Sequence, residues 1–123
     1  MAKILIVDDE PLLLDLMKDV LELAGHAVEG VGTAMDCMAK LRDGKFQLVI
    51  MDVGMPHLSG MDLLRLIRRD PALKKIPVLM CTGRDMIDDV DRAFEAGATG
   101  YIVKPFTSGG LIDSVAKHLS AAV

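Results

Sequence analysis

The chain has 123 residues, 51% of them apolar and 26% charged, with a formal net charge of −4 and a pI near 5.2. That length fits one domain, 1–123, with a proper core. The acidic balance argues against a nucleic-acid surface, and no apolar run approaches the roughly 20 residues that a membrane span needs. Met1-Ala2-Lys3 leads at once into an apolar run, so no signal peptide is expected. Cys37 and Cys81 show neither metal nor redox spacing, so a cytoplasmic chain with both thiols reduced is the expectation.

The first strand is predicted over Lys3–Val7 and runs into Asp8-Asp9. After Pro11, apolar residues at Leu12, Leu13, Leu16, Met17, Val20, Leu21 and Leu23 predict one face of a helix, with Asp15, Lys18, Asp19 and Glu22 opposite. Pro11 suits its first turn and Gly25 the position past its end. A weak strand over Ala27–Val31 contains Gly30 and is placed at a sheet edge. Thr33 caps a second helix that reaches Asp43 and stops at Gly44. Gln47–Met51 is an uninterrupted apolar strand, as expected when both faces are covered, and it runs into Asp52. The loop 53–60 follows, then a helix with Leu63, Leu64 and Ile67 inward and Arg65, Arg68 and Arg69 outward. Ile76–Cys81 forms the fourth strand and ends in Thr82. The fourth helix turns Ile87, Val90, Ala93 and Phe94 inward and ends at Gly97. The fifth strand, Gly100–Val103, leads into Lys104-Pro105-Phe106. The last helix buries Leu111, Ile112, Val115, Ala116 and Leu119, and the poor helix formers Gly109 and Gly110 weaken its first turn.

Strands alternating with helices imply a doubly wound α/β fold, a five-stranded parallel sheet with right-handed crossovers and five helices on its two faces. Ligands of such sheets bind beyond the carboxyl ends of the strands. Asp8, Asp9, Asp52, Thr82 and Lys104 all stand at such ends and should share one crevice. Three close carboxylates repel one another, and a hard dication relieves the repulsion. With no Cys or His among these five residues, Mg2+ is favoured and Mn2+ is possible. An ionised Asp beside such a cation can attack phosphorus and form an aspartyl phosphate. Lys104 would add positive charge and Thr82 a hydrogen bond to a phosphoryl oxygen. Asp52 is the leading nucleophile because its strand is the most apolar and hence central, while Asp8-Asp9 reads as the metal base.

These residues carry a family resemblance. ILIVDDE at 4–10, LVIMDVGMPHLSG at 48–60, VLMCT at 78–82 and GATGYIVKPF at 97–106 resemble, in order, the two-component response-regulator receiver domain of the chemotaxis-regulator type. The resemblance implies a flavodoxin-like strand order 2-1-3-4-5. It implies that Asp52 accepts phosphate from the phosphohistidine of a sensor histidine kinase or phosphotransfer protein. It also implies Mg2+ ligation by Asp9, Asp52 and the Gly54 carbonyl, with Asp8 acting through water. Lys104 would hold the phosphoryl group, Thr82 and Tyr101 would form a switch pair, and Lys104-Pro105 would be cis. A downstream protein would bind the face made by the fourth helix, fifth strand and fifth helix, including Asp88, Asp91, Tyr101 and Lys117. Gly54 and Arg84 occupy positions that tune phosphate lifetime in the family.

Competing readings are a haloacid-dehalogenase-type phosphatase, a small flavoprotein, a phosphorelay intermediate, and a partner-binding module that works without phosphorylation. The phosphatase needs an acid two residues after its nucleophile, where Gly54 stands. The flavoprotein needs a hydroxyl- and glycine-rich phosphate loop where this chain has Asp8-Asp9-Glu10. His26, His57 and His118 share no ligand spacing and read as surface residues, and Met17, Met51 and Met80 read as core filler with Met55 packed beside the acceptor. Asp85, Asp88, Asp89 and Asp91 read as a solvated helix start, with a partner contact as the sharper alternative.

Overall fold

The computed structural model describes residues 2–53, 60–83 and 89–121. Gly54, Met55, His57, Arg84, Asp85, Ile87, Asp88 and the side chains of Asp89 and Val90 lie outside the described residues. In chain order the elements are β1 (Lys3–Val7), α1 (Pro11–Leu23), β2 (Ala27–Val31), α2 (Ala34–Asp43), β3 (Leu48–Asp52), α3 (Gly60–Arg69), β4 (Val78–Gly83), α4 (Asp89–Glu95), β5 (Gly100–Lys104) and α5 (Ser108–Ala121). The five strands are parallel, in the order β2-β1-β3-β4-β5. β2 is an edge strand, as Gly30 suggested.

Strand alternation feeds two cores. Leu5, Val7, Val49, Met51, Val78 and Met80 pack with Cys37 and Leu41 of α2, Leu63, Leu64 and Ile67 of α3 and Ala93 of α4. Ile4, Ile6, Leu48, Ile50, Leu79, Cys81 and Ile102 pack with Met17 and Leu21 of α1 and Leu111 and Val115 of α5. Each strand residue thus serves one helix layer and its neighbour the other.

The sequence signals for element ends hold in several places. Thr33 Oγ1 accepts the Asp36 N–H at 3.1 Å, Pro11 opens α1, and Gly25 and Gly97 take positive φ after α1 and α4. The fourth strand starts later than expected. The Ile76 N–H bonds the Leu73 carbonyl within the preceding turn, while Thr82 and Gly83 pair with Val103 and Lys104. Tertiary pairing, not apolarity, sets that boundary.

The α1 face is narrower than predicted. Leu12, Leu16 and Leu23 are exposed, and Leu13, Leu14 and Val20 flank the buried Met17 and Leu21. Leu14, absent from the predicted stripe, lies where Gly30 leaves room: a Cβ on Gly30 would come 2.8 Å from its Cδ1. Ala116 of α5 is also exposed, so the buried stripe of that helix is Leu111 and Val115, with Ile112 and Leu119 at its margins. The glycine-containing first turn of α5 is helical. Thr107 Oγ1 accepts the Gly110 N–H at 2.9 Å, and this cap offsets the poor propensity of Gly109 and Gly110.

Three further expectations need correction. Arg68 does not point into solvent; its guanidinium is half-buried against backbone carbonyls. Phe94 is not part of the core; it is 45% exposed and meets Tyr101 edge-on. His26 and His118 are not free surface residues. His26 Nδ1 accepts the Ala2 N–H at 3.2 Å, and the His118 ring occupies the space above Gly100, with Nδ1 2.7 Å from the Ser114 carbonyl.

Candidate functional site

Three strands deliver the site. Asp8 leaves the end of β1, where its N–H bonds Val31 O at 3.1 Å, and Asp52 and Lys104 are the last residues of β3 and β5. By alternation, Asp52 and Lys104 continue the face of Ile50 and Ile102, which packs on α1 and α5. Asp8 joins them there: Lys104 Nζ lies 3.4 Å from Asp8 Oδ2 and 3.4 Å from Asp52 Oδ1. Both are ion-pair distances rather than tight hydrogen bonds, so one ammonium is shared by two carboxylates. Carboxylate oxygens of Asp8, Asp9 and Asp52 lie within 4.8 Å of one another.

The three acids differ in setting. The Asp8 side chain is 2% exposed, that of Asp52 14%, and Asp9 is open to solvent. Burial pushes the Asp8 carboxyl above its usual range, against the pull of the Glu10 N–H, which donates to Oδ1 at 2.9 Å, and of Lys104. For Lys104, burial acts to lower the ammonium's pKa, but Asp52 and Asp8 outweigh it and hold the group above its ordinary value. A cleft of about 200 Å3, lined by Asp8, Asp9, Glu10, Pro11, Asp52 and Lys104, opens over these groups.

The donor set fits a hard dication. Three carboxylates offer oxygen only, with room for water, which suits Mg2+ or Mn2+. Cys81, beside Asp52 across the β3–β4 ladder, is no soft ligand, since burial pushes its thiol up to about 12. Gly54, the third expected ligand, lies outside the described residues. The return of the chain after it is constrained, however. The Gly60 N–H bonds the Val53 carbonyl at 3.2 Å, and a Cβ on Gly60 would collide with the Asp52 carbonyl. The helix therefore starts hard against the strand end that carries Asp52.

Thr82 and Tyr101 belong to the other face. Alternation after Val78 and Met80 directs Thr82 toward the α3 and α4 layer, and Tyr101, paired with Met80, follows it. Thr82 is 2% exposed and its Oγ1 donates to the Gly83 carbonyl at 3.3 Å. Tyr101 is 42% exposed, with its ring centroid 6.0 Å from that of Phe94 at 85°. The Lys104-Pro105 peptide is cis. Asp91 and Lys117 are exposed, and Lys117 lines a groove of about 760 Å3 with Phe94, Tyr101, Asp113 and His118.

The structure thus brings together Asp8, Asp9, Asp52 and Lys104, and sets Thr82 and Tyr101 behind them. Sequence reasoning missed Glu10 and Pro11 as walls of the cleft, though their place directly after Asp8-Asp9 was signal enough. It also missed Phe94 as the partner of Tyr101, for which the sequence holds no signal: an aromatic on a helical stripe reads as core.

Comparison with known proteins agrees with this fold. The model of the response regulator receiver domain family matches residues 4–116. The response regulator protein FleR of Pseudomonas aeruginosa is 42% identical over 118 residues, 95% of this chain and 24% of FleR. The chain thus spans about a quarter of that relative's length. The chemotaxis protein CheY-3 of Vibrio cholerae is 38% identical over 116 residues, 94% of this chain and 89% of CheY-3. The crystal structure of the chemotaxis response regulator CheY4 of Vibrio cholerae superposes with a TM-score of 0.89 at 31% identity, over 95% of this chain and 98% of that one.

Proposed function

Because the chain belongs to the response regulator receiver domain family, we propose that Asp52 is its phosphoacceptor and that the protein is a switch driven by phosphorylation. The single observation that carries the assignment is the shared ammonium: Lys104 reaches Asp8 and Asp52 alike, in a cleft that gathers three aspartates. Asp9 and Asp52, with the Gly54 carbonyl, would hold Mg2+, and Asp8 would act through water. Bound there, the dication would offset the charge between an anionic nucleophile and an anionic phosphoryl group.

An Asp52 carboxylate oxygen attacks the phosphorus of a kinase or phosphotransfer phosphohistidine. The P–O bond forms as the P–N bond breaks, and the imidazole leaves with the electron pair and takes up a proton. Lys104 moves from bridging two carboxylates to bridging Asp8 and a phosphoryl oxygen. The protein promotes its own phosphorylation and dephosphorylation and turns over no other substrate. Among the described residues no helix is long and apolar enough to cross a membrane. In keeping with its family, we place this receiver domain, residues 1–123, in the cytoplasm.

The new phosphate carries about −2 and three acceptor oxygens. Thr82 turns toward them and vacates space under α4, which Tyr101 enters from its exposed position. The groove of Phe94, Tyr101, Asp113, Lys117 and His118 is thereby reshaped for a downstream protein. Mass spectrometry after incubation with acetyl phosphate and Mg2+ tests the assignment. The wild-type chain should gain one phosphate and Asp52→Asn none; incorporation by Asp52→Asn at the wild-type yield would refute it.

A further inference from the structure

Arg68 sits on the last turn of α3, a helix whose other arginines face water, yet its guanidinium turns back onto the protein. Nε donates to the Gly97 carbonyl at 2.8 Å, and Nη1 donates to the Ile76 carbonyl at 2.6 Å and the Lys74 carbonyl at 3.1 Å. Nη2 reaches Thr99 Oγ1 at 3.4 Å. No carboxylate among the described residues pairs with it. Burial lowers the guanidinium's pKa, although the group stays charged at any ordinary pH. A half-buried cation satisfied by carbonyls and one hydroxyl fixes the backbone that offers them.

Lys74 and Ile76 belong to the connection between α3 and β4, and Gly97 to the α4–β5 turn, so Arg68 ties the two connections together. Gly97 has φ +107, and a Cβ there would come 2.8 Å from Arg68 Cγ and 3.0 Å from Nε. The turn is otherwise tied by Gly97 N–H to Phe94 O, Ala98 N–H to Ala93 O and Thr99 N–H to Val78 O. Thr99 Oγ1 also accepts the Val78 N–H at 3.1 Å. Phe94 stands three residues before Gly97, and Tyr101 two residues after Thr99. The same few residues therefore set where the two rings meet.

We propose that Arg68 is a positioning residue for Tyr101: by clamping the α4–β5 turn onto α3 and the start of β4, it sets the Phe94–Tyr101 contact and fixes the end of α4 about which the helix moves when the switch operates. The inference rests on the proposed role of Tyr101. Its physical content is that one end of α4 is held by Arg68 at Gly97 and Thr99 and by the backbone bonds of Gly97, Ala98 and Thr99, while the other end follows the strand of Thr82 in the chain. A displacement begun at Thr82 then becomes a rotation about Gly97 rather than a slide of the whole helix. Rotation swings the far end of α4 and changes the space beside Tyr101, while Phe94, three residues from the pivot, stays close; a slide would carry Phe94 away from Tyr101, which stands on β5, and break the pair.

The test compares wild type with Arg68→Met, which keeps the aliphatic stem and removes every donor. Arg68→Lys, which keeps the charge and can serve only some of the carbonyls, is the second variant should the first fold poorly. Without any phosphoryl mimic, amide hydrogen exchange at Gly97, Ala98 and Thr99 should speed up in Arg68→Met, and the Phe94–Tyr101 nuclear Overhauser contact should be lost, with Arg68→Lys intermediate. With beryllium fluoride and Mg2+, amide shifts at Asp52 and Thr82 should persist while the Tyr101 ring response disappears. Simple destabilisation would not separate those two responses. A full Tyr101 response alongside accelerated exchange overturns the proposal, as does unchanged exchange in Arg68→Met. A wild-type chain silent at Asp52 and Thr82 would instead defeat the phosphorylation reading, and the arm without mimic then decides the role of Arg68 alone.

Discussion

Replacing Lys104 by Met tests how much of the fold's stability depends on the charge balance of the cleft. Methionine keeps the apolar stem and removes the ammonium that sits 3.4 Å from both Asp8 and Asp52. Asp8, 2% exposed, is then buried without its cation. Removing one partner of a fully buried pair costs about 3–5 kcal/mol. Here the Lys104 side chain is 27% exposed and its contacts are long, so the cost is discounted for solvent to about 2 kcal/mol. The urea midpoint at about pH 7.5, without divalent cations, should fall by about 1 M if the m-value is about 2 kcal/mol/M.

The pH dependence has a definite sign. The ammonium's pKa is raised in the fold, so its stabilising contribution is fully present below its unfolded value of 10.5 and is undiminished at neutral pH. The Asp8 carboxyl is also raised, so the folded state takes up a proton there more readily than the unfolded chain. Its ionisation therefore weighs on the fold above the ordinary value of 3.8, and that burden lifts as the pH falls through the folded value. Without the ammonium the burden is heavier, so the gap between wild type and Lys104→Met should narrow from about pH 7.5 to about pH 4.5. A gap of equal size at both pH values, or a variant more stable than wild type at neutral pH without metal, would refute the reasoning.

Mg2+ should raise the melting temperature of the wild-type chain through binding linkage, and Asp9→Ala should remove most of that gain in differential scanning calorimetry. Because Asp9 is exposed and adds to the carboxylate repulsion, the same variant should be no less stable than wild type in chelator. On α1, two leucines should separate cleanly in thermal melts. Leu21→Ala, at a fully buried position, should cost about 2–5 kcal/mol. Leu16→Gln, at a 54% exposed one, should stay within about 0.5 kcal/mol.

Much of the fold was legible because its signals are redundant. The apolar runs of β1 and β3 can only be strands covered on both faces, and parallel topology then gathers Asp8, Asp9, Asp52 and Lys104 without any knowledge of contacts. Residues whose partners are distant were not legible. Arg68 follows Ile67 on an amphipathic helix, and its charge alone reads as outward; its carbonyl partners come from turns whose path the sequence does not give. Leu12, Leu16 and Leu23 satisfied helical spacing, but spacing does not tell how wide a stripe the neighbouring elements cover. At β4 the apolar Ile76-Pro77 looked like strand, yet the turn that ends α3 uses Ile76 first. His118 read as surface because nothing local announces that Gly100 leaves a seat for its ring.

The two sides of the sheet divide labour in a way that constrains how a message can travel. Asp52 and Lys104 lean toward the helices α1 and α5, whereas Thr82 and Tyr101 lean toward α3 and α4. Between them stands a close-packed, hydrogen-bonded sheet. The strand termini are where its two sides meet, and Thr82, near the end of β4, is the residue through which we propose that a chemical event on one side reaches the other. On the proposed roles of Asp52, Thr82 and Tyr101, receiving and reporting would be separated by geography. Substitutions on the reporting flank would then suit the chain to a new listener while leaving the chemistry of the other flank in place.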